Sequence, residues 1–218
     1  MLLKRTVSLS QKFSFVVLAL LAVPLAINAL RYFNFDSKYG FLLIKQIAIE
    51  SGWYLPAYYA HVLVAGVILL IGIFQLYPET RLRWPSLHRL LGKVYVFGVL
   101  IFSAPGGLVM SFFINRGPLV LSSFLLQCSL WFVFTYLAFV AIRKGSVEQH
   151  RNWMWRSMAL TLAAITLRTY VFIASWSFDL SQPAAYAAIA WLSWVPNVLL
   201  CEGYIRYQRK GITGVKRM

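Results

Sequence analysis

Gln149–Arg168 reads QHRNWMWRSMALTLAAITLR. His150, Arg151 and Arg156 stand within its first eight residues, the run then turns apolar, and Arg168 closes it deep inside that apolar stretch. A segment of this kind starts at a charged membrane surface and carries one ionisable group inward. Upstream, Ser86–Tyr95 (SLHRLLGKVY) repeats the opening, a His-Arg pair at the start of an apolar helix. The rest of the chain reads as a bundle built around these two helix starts.

Composition fixes the class. Of the 218 residues, 60% are hydrophobic and only 12% charged, whereas a soluble domain of this size carries about twice that charge. Apolar runs of about 20 residues, enough to cross a bilayer, recur along the chain. They predict six transmembrane helices over 13–35, 57–76, 88–114, 119–142, 150–176 and 183–205, an all-α bundle forming one polytopic domain over 1–218. In a soluble chain the net charge of +15 would point to nucleic acid. Here the cations cluster between apolar runs, so the bilayer is the partner and nucleic acid is not.

Sixteen of the 21 Lys and Arg residues fall in the N-terminal head, the 81–93 and 143–156 segments and the tail, and four lie on the other side. By the positive-inside rule both termini are cytoplasmic. The basic head before Phe13 also has the form of a secretory signal; the length of the apolar run and the aromatic Tyr32, Phe33 and Phe35 behind it favour a retained helix. Phe41–Glu50 is apolar but too short to span, and predicts an interfacial helix on the outer leaflet. Pro105-Gly106-Gly107 predicts a break inside the third span, and Ser146-Val147-Glu148-Gln149 a capping box opening the fifth. Cys128 and Cys201 lie inside apolar runs and form neither a disulfide framework nor a metal-ligand spacing.

The polar residues admit two functional readings. His88 and His150 occupy the first turns of two helices that run the same way, hence one depth. The positive helix ends and neighbouring arginines disfavour the imidazolium there, and neutral imidazole is the ligating form. A pair so placed suits axial ligation of a b-type haem near the cytoplasmic face, with Arg89, Arg151 and Arg156 (and Lys93 beside them) toward its propionates. The plainer account makes each histidine an interfacial polar residue beside topology-setting arginines. Second, Arg168 lies twelve residues beyond Arg156, about 18 Å along a helix axis. An arginine so deep marks a functional site unless it is a structural lock; His61, Gln127 and Asn28 are its partners on depth, and Gln75 is a further intramembrane polar residue. Glu202 pairs either with Arg206 one turn on or with Arg89 or Arg156 across the bundle. These readings define a haem-binding redox or haem-handling protein, or a non-enzymatic transporter, sensor or assembly factor with a polar cavity. No phosphate-binding glycine loop and no Ser/His/Asp set is present, and neither substrate, electron donor nor quinone is specified.

At His88-Arg89-x-x-Gly92-x-x-Tyr95 and His150-Arg151-x-Trp153-Met154-x-Arg156 the chain resembles a family of bacterial membrane proteins filed as a domain of unknown function. His61, Gln75, Arg81 and Arg168 also stand where that family's pattern would put them, and the resemblance covers about Ala57–Arg168. It implies a multi-pass protein of the bacterial inner membrane and no established activity. More distantly, six helices with histidines on successive spans are similar to the ascorbate-reducible b-type cytochromes, which hold two haems between four histidines. The fourth span here, Leu119–Ile142, has no histidine, so at most one bis-histidine haem is implied.

Overall fold

The structure is a computed structural model and describes residues 9–177 and 183–215. The expected outer turn at Phe178–Gln182, and Lys4, Arg5, Lys216 and Arg217, lie outside the described residues. Among the described residues every regular element is helical, and six helices are long and apolar enough to cross a membrane. They cover Leu9–Asn34, Tyr54–Leu76, Pro85–Ser111, Pro118–Arg143, Val147–Trp176 and Ala184–Arg209, within a few residues of expectation. The chain divides into two compact units, residues 1–103 and 104–218, the division falling inside the third span between Ser103 and Ala104.

In the first unit α1 (Leu9–Leu30) leads through a 3-10 turn, Arg31–Asn34, to a second, Gly40–Lys45, and the short α2 (Gln46–Glu50). The apolar stretch expected to form one interfacial helix is thus part 3-10 and part α. Gly40, at φ +56, lets the chain turn against Tyr32, whose hydroxyl accepts the Phe41 N–H at 2.9 Å. Tyr32, Tyr39 and Tyr58 meet edge to face, an aromatic belt at this end of α3 (Tyr54–Leu76). Without a hydrophobic drive between helices in lipid, close approach depends on small residues. Gly66 of α3 supplies it against α1: a Cβ there would lie 2.9 Å from the Ala29 Cβ.

The short α4 (Pro78–Arg83) turns the chain into α5 (Pro85–Phe97), where proline opens the helix at no hydrogen-bond cost. A π-helical turn, Gly98–Ser103, follows, and then α6 (Ala104–Ser111). The break expected at Pro105-Gly106-Gly107 therefore sits one turn earlier, and the Pro-Gly-Gly run itself is helical. Pro105 has no N–H and its ring crowds the carbonyl four residues back, that of Ile101. Widening the preceding turn to i→i+5 bonding accommodates both defects.

In the second unit α6 packs on α7 (Pro118–Arg143), which packs along α8 (Val147–Ser177). Buried Thr135 and Ser157 join these two helices hydroxyl to hydroxyl at 2.7 Å. The helix α8 begins one residue after Ser146, whose carbonyl accepts the His150 N–H at 3.0 Å, so the expected start holds. The sixth span is two helices, α9 (Pro183–Leu192) and α10 (Val195–Val215), joined at Ser193–Trp194. Pro196 removes the donor that the Leu192 carbonyl would take. The Trp194 indole N–H anchors the turn on the buried Ser123 hydroxyl at 2.9 Å.

Candidate functional site

His61 lies on α3, two turns from its start, and its Nδ1 is 2.6 Å from the carbonyl oxygen of Ser103, the last residue of the π-helical turn. A carbonyl only accepts, so Nδ1 carries the proton, and in the neutral ring Nε2 is the lone-pair atom. The Ser103 hydroxyl is fully buried and meets no polar partner among the described residues. The widened turn thus sets a histidine and a buried hydroxyl together where the third span changes geometry. No sequence signal named Ser103 as the partner; Pro105, two residues on, was the available clue.

Gln75, at the other end of α3, donates its amide N–H to the His88 carbonyl at 2.8 Å, clasping α3 to α5. Its Oε1 is buried with no hydrogen bond among the described residues, as is that of Gln127 on α7. His88 is half-buried, and Arg89 is exposed, with one bond to the Ser86 hydroxyl at 3.2 Å.

In the second unit His150 repeats the geometry of His61. Its Nδ1–H points to the Ala138 carbonyl at 2.8 Å, across from α8 to α7, which again leaves Nε2 as the lone-pair atom of the neutral ring. The Nε of Arg151 is buried and unbonded among the described residues. Arg156, expected to meet a haem propionate, meets an anion of the protein instead. Its Nε–H and Nη2–H donate to the two oxygens of Glu202 on α10, the latter at 2.9 Å. The Trp153 ring lies 4.5 Å from the guanidinium carbon. Of the three partners considered for Glu202 (Arg206, Arg89 and Arg156), Arg156 is the one it takes.

Arg168 departs from expectation. Its side chain is exposed, and it makes no hydrogen bond or ion pair with any described residue. His61, one of its expected partners, is engaged with Ser103. Ala164, Phe172 and Trp176 near it are exposed as well, while Arg168 stands eleven residues from Ser157 and eighteen from His150, about three and five whole turns, hence on the side of α8 whose earlier residues meet α7. The polar residue that does bridge helices at this level is Asn197, which composition alone did not single out. Its side-chain N–H group bonds the Thr166 hydroxyl at 3.0 Å and lies 3.2 Å from the Ser193 carbonyl at the α9–α10 turn. Its place directly after Pro196 in an apolar run was the legible sign.

Among the described residues no three His, Cys, Asp or Glu side chains gather as around a protein-bound metal ion. A two-histidine site is not of that kind. His88 belongs to the first unit and His150 to the second.

Six apolar helices, polar side chains turned to backbone carbonyls, and cations at the helix ends define an integral membrane protein. The family model described as "Predicted membrane protein (DUF2306)" matches residues 58–205, and the chain belongs to that family, whose function is unknown. No curated protein and no solved structure matches the chain, so the likeness to b-type cytochromes finds no support there.

Proposed function

We propose that this is a small transporter-like membrane protein, its third and sixth spans carrying the elements that handle the solute. One observation carries the reading. The third span of each three-span half is interrupted beside a proline, at Gly98–Ser103 before Pro105 and at Ser193–Trp194 before Pro196. Interrupted spans at corresponding positions of two halves point to binding elements in transporters, because irregular backbone at membrane depth persists only where protein or a hydrated cavity satisfies it. In each half one polar side chain holds the interruption. His61 bonds the Ser103 carbonyl in the first, and Asn197 joins Thr166 and the Ser193 carbonyl in the second. His61 and Gln75 in the first unit, and Gln127 and Arg168 in the second, are the polar side chains assigned to this role, Arg168 having no ion-pair partner among the described residues. The proposed setting is the bacterial inner membrane with both termini cytoplasmic, on the basic asymmetry.

Cysteine accessibility tests the reading without a known substrate. In a background lacking Cys128 and Cys201, Ser103→Cys and Ser193→Cys are each probed with a membrane-impermeant maleimide in right-side-out and inverted vesicles. Alternating access expects labelling from both sides. Labelling from one side only indicates a binding or sensing protein, and none from either side a closed structural joint; either result overturns the proposal.

The haem reading retains one favourable observation, the His150 Nδ1–H bond to Ala138, since a ring nitrogen so held orients the other for ligation. A reduced-minus-oxidised visible spectrum of the purified protein decides it: sharp bands lost in His88→Ala and His150→Ala support haem, and a flat difference spectrum from haem-supplemented expression removes it.

A further inference from the structure

The end of the first unit where α3 passes through α4 into α5 carries cations that no described residue neutralises. Glu79 is the last acidic residue before Glu148, so the whole run between them holds none. Glu79 itself lies 3.7 Å from Arg83 in an exposed i, i+4 pair. Arg81, Arg89 and Lys93 remain, all exposed and without an ion-pair partner among the described residues. Arg89 and Lys93 are four apart on α5, hence on one side of the helix.

Apolar side chains are exposed among these cations. Leu82 is 60% exposed, Trp84 51% and Leu90 59%. The segment is also held in place. Thr80 is buried, its hydroxyl bonded to the Tyr77 carbonyl at 2.7 Å, and the Trp84 ring stacks on Phe74 at 6.4 Å. A surface that is cationic and apolar together, on a fixed corner at a membrane boundary, suits neither water nor a purely acidic partner. An anionic lipid answers both halves at once, its phosphate meeting the cations and its glycerol and upper acyl chain the Trp and Leu side chains.

We infer that this corner, built from Arg81, Arg89 and Lys93 with Trp84 and Leu90, is a docking site for an anionic phospholipid of the adjoining leaflet. The inference stands apart from the transport reading, since it involves neither interrupted span.

The test is native mass spectrometry of the full chain in detergent, titrated with phosphatidylglycerol and with phosphatidylcholine of the same acyl chains. The expected result is tighter retention of phosphatidylglycerol by about tenfold or more. R81Q/R89Q/K93Q should reduce phosphatidylglycerol to the phosphatidylcholine level, while R143Q/K144Q, which removes exposed cations of the other unit, should leave it unchanged. The single variants R89Q and K93Q should each lower retention in part, which keeps the test decisive should the triple variant fold poorly. Equal retention of the two lipids, or equal loss in both multiple variants, overturns the inference, since the cations then act only as diffuse charge. Competition by inorganic phosphate as strong as that by the lipid also overturns it, pointing to a free anion as the ligand.

Discussion

Arg156 of α8 grips both carboxylate oxygens of Glu202 on α10, through Nε–H and Nη2–H. The guanidinium is also stacked by Trp153, and its Nη1 lies 3.5 Å from the Asn152 carbonyl. The side chains are 14% and 29% exposed, so water screens the pair only in part. Removing either partner strands a half-buried charge, and such losses reach about 3–5 kcal/mol when burial is complete.

Arg156→Leu and Glu202→Leu should therefore each lower the midpoint of thermal unfolding, and the double variant should lose less than the two single losses added. A double-mutant cycle in detergent should return a coupling of about 1–3 kcal/mol. Additive losses would mean the two residues act separately.

Two glycines give a paired prediction about helix approach. A Cβ on Gly66 would lie 2.9 Å from the Cβ of Ala29, an atom fixed to its backbone. One on Gly98 would lie 2.8 Å from the Cδ1 and 3.2 Å from the Cγ1 of Ile68, which is fully buried, and 3.2 Å from the Cγ1 of Val64. Gly66→Ala and Gly98→Ala should thus each destabilise by about 1–3 kcal/mol, the range for overpacking. Thermal midpoints of the two purified variants check both losses.

The spans were legible because length and apolarity alone set them; Tyr54–Leu76 and Pro118–Arg143 follow from runs of about 20 apolar residues. The polar partners were not, because a side chain's bond to a carbonyl leaves no trace in composition. His61 stood out as a histidine in an apolar run, yet Ser103 is 42 positions away and looks like any small residue. The interruption of the third span was visible in Pro105, but its location was not, since the backbone absorbs the proline by widening the turn before it. Arg168 shows the converse. Its depth demanded a partner by the energetics of burial, and the fold leaves it exposed with none among the described residues.

That exposure sets a sign for Arg168. It stands eight residues before the end of its span at Trp176; an unpaired arginine costs about 2.5 kcal/mol or more at a span's centre and less toward its ends, and among the described residues no side chain offsets it. Arg168→Leu should raise the thermal midpoint of the purified protein while leaving topology unchanged. Lowered stability would reveal a protein partner that holds the side chain. If the transport reading is right, the same variant should be inactive, the usual exchange of stability for a functional charge.

Orientation rests on the sixteen-to-four division of cations. Reporter fusions after Arg116 and after Lys210 should report opposite compartments, with Lys210 cytoplasmic. A shared compartment would require an odd number of the intervening segments to lie outside the bilayer's core, and with it a different bundle.

His61 allows its structural and chemical roles to be separated, because its two ring nitrogens do different things. Nδ1–H is committed to the Ser103 carbonyl at 2.6 Å, and an asparagine amide nitrogen occupies nearly the place of Nδ1. His61→Asn should keep that bond and hold stability near the parent's, whereas His61→Leu should lose about 1 kcal/mol with the bond. If the ring serves only to hold the π-helical turn, the asparagine variant will match the parent in two-sided labelling of Ser193→Cys as well. A role for the His61 ring in handling the solute, under the transport reading, predicts the opposite: a stable asparagine variant that is labelled from one side only. Both readouts come from the same two preparations, so a fold effect and a functional effect cannot be mistaken for each other.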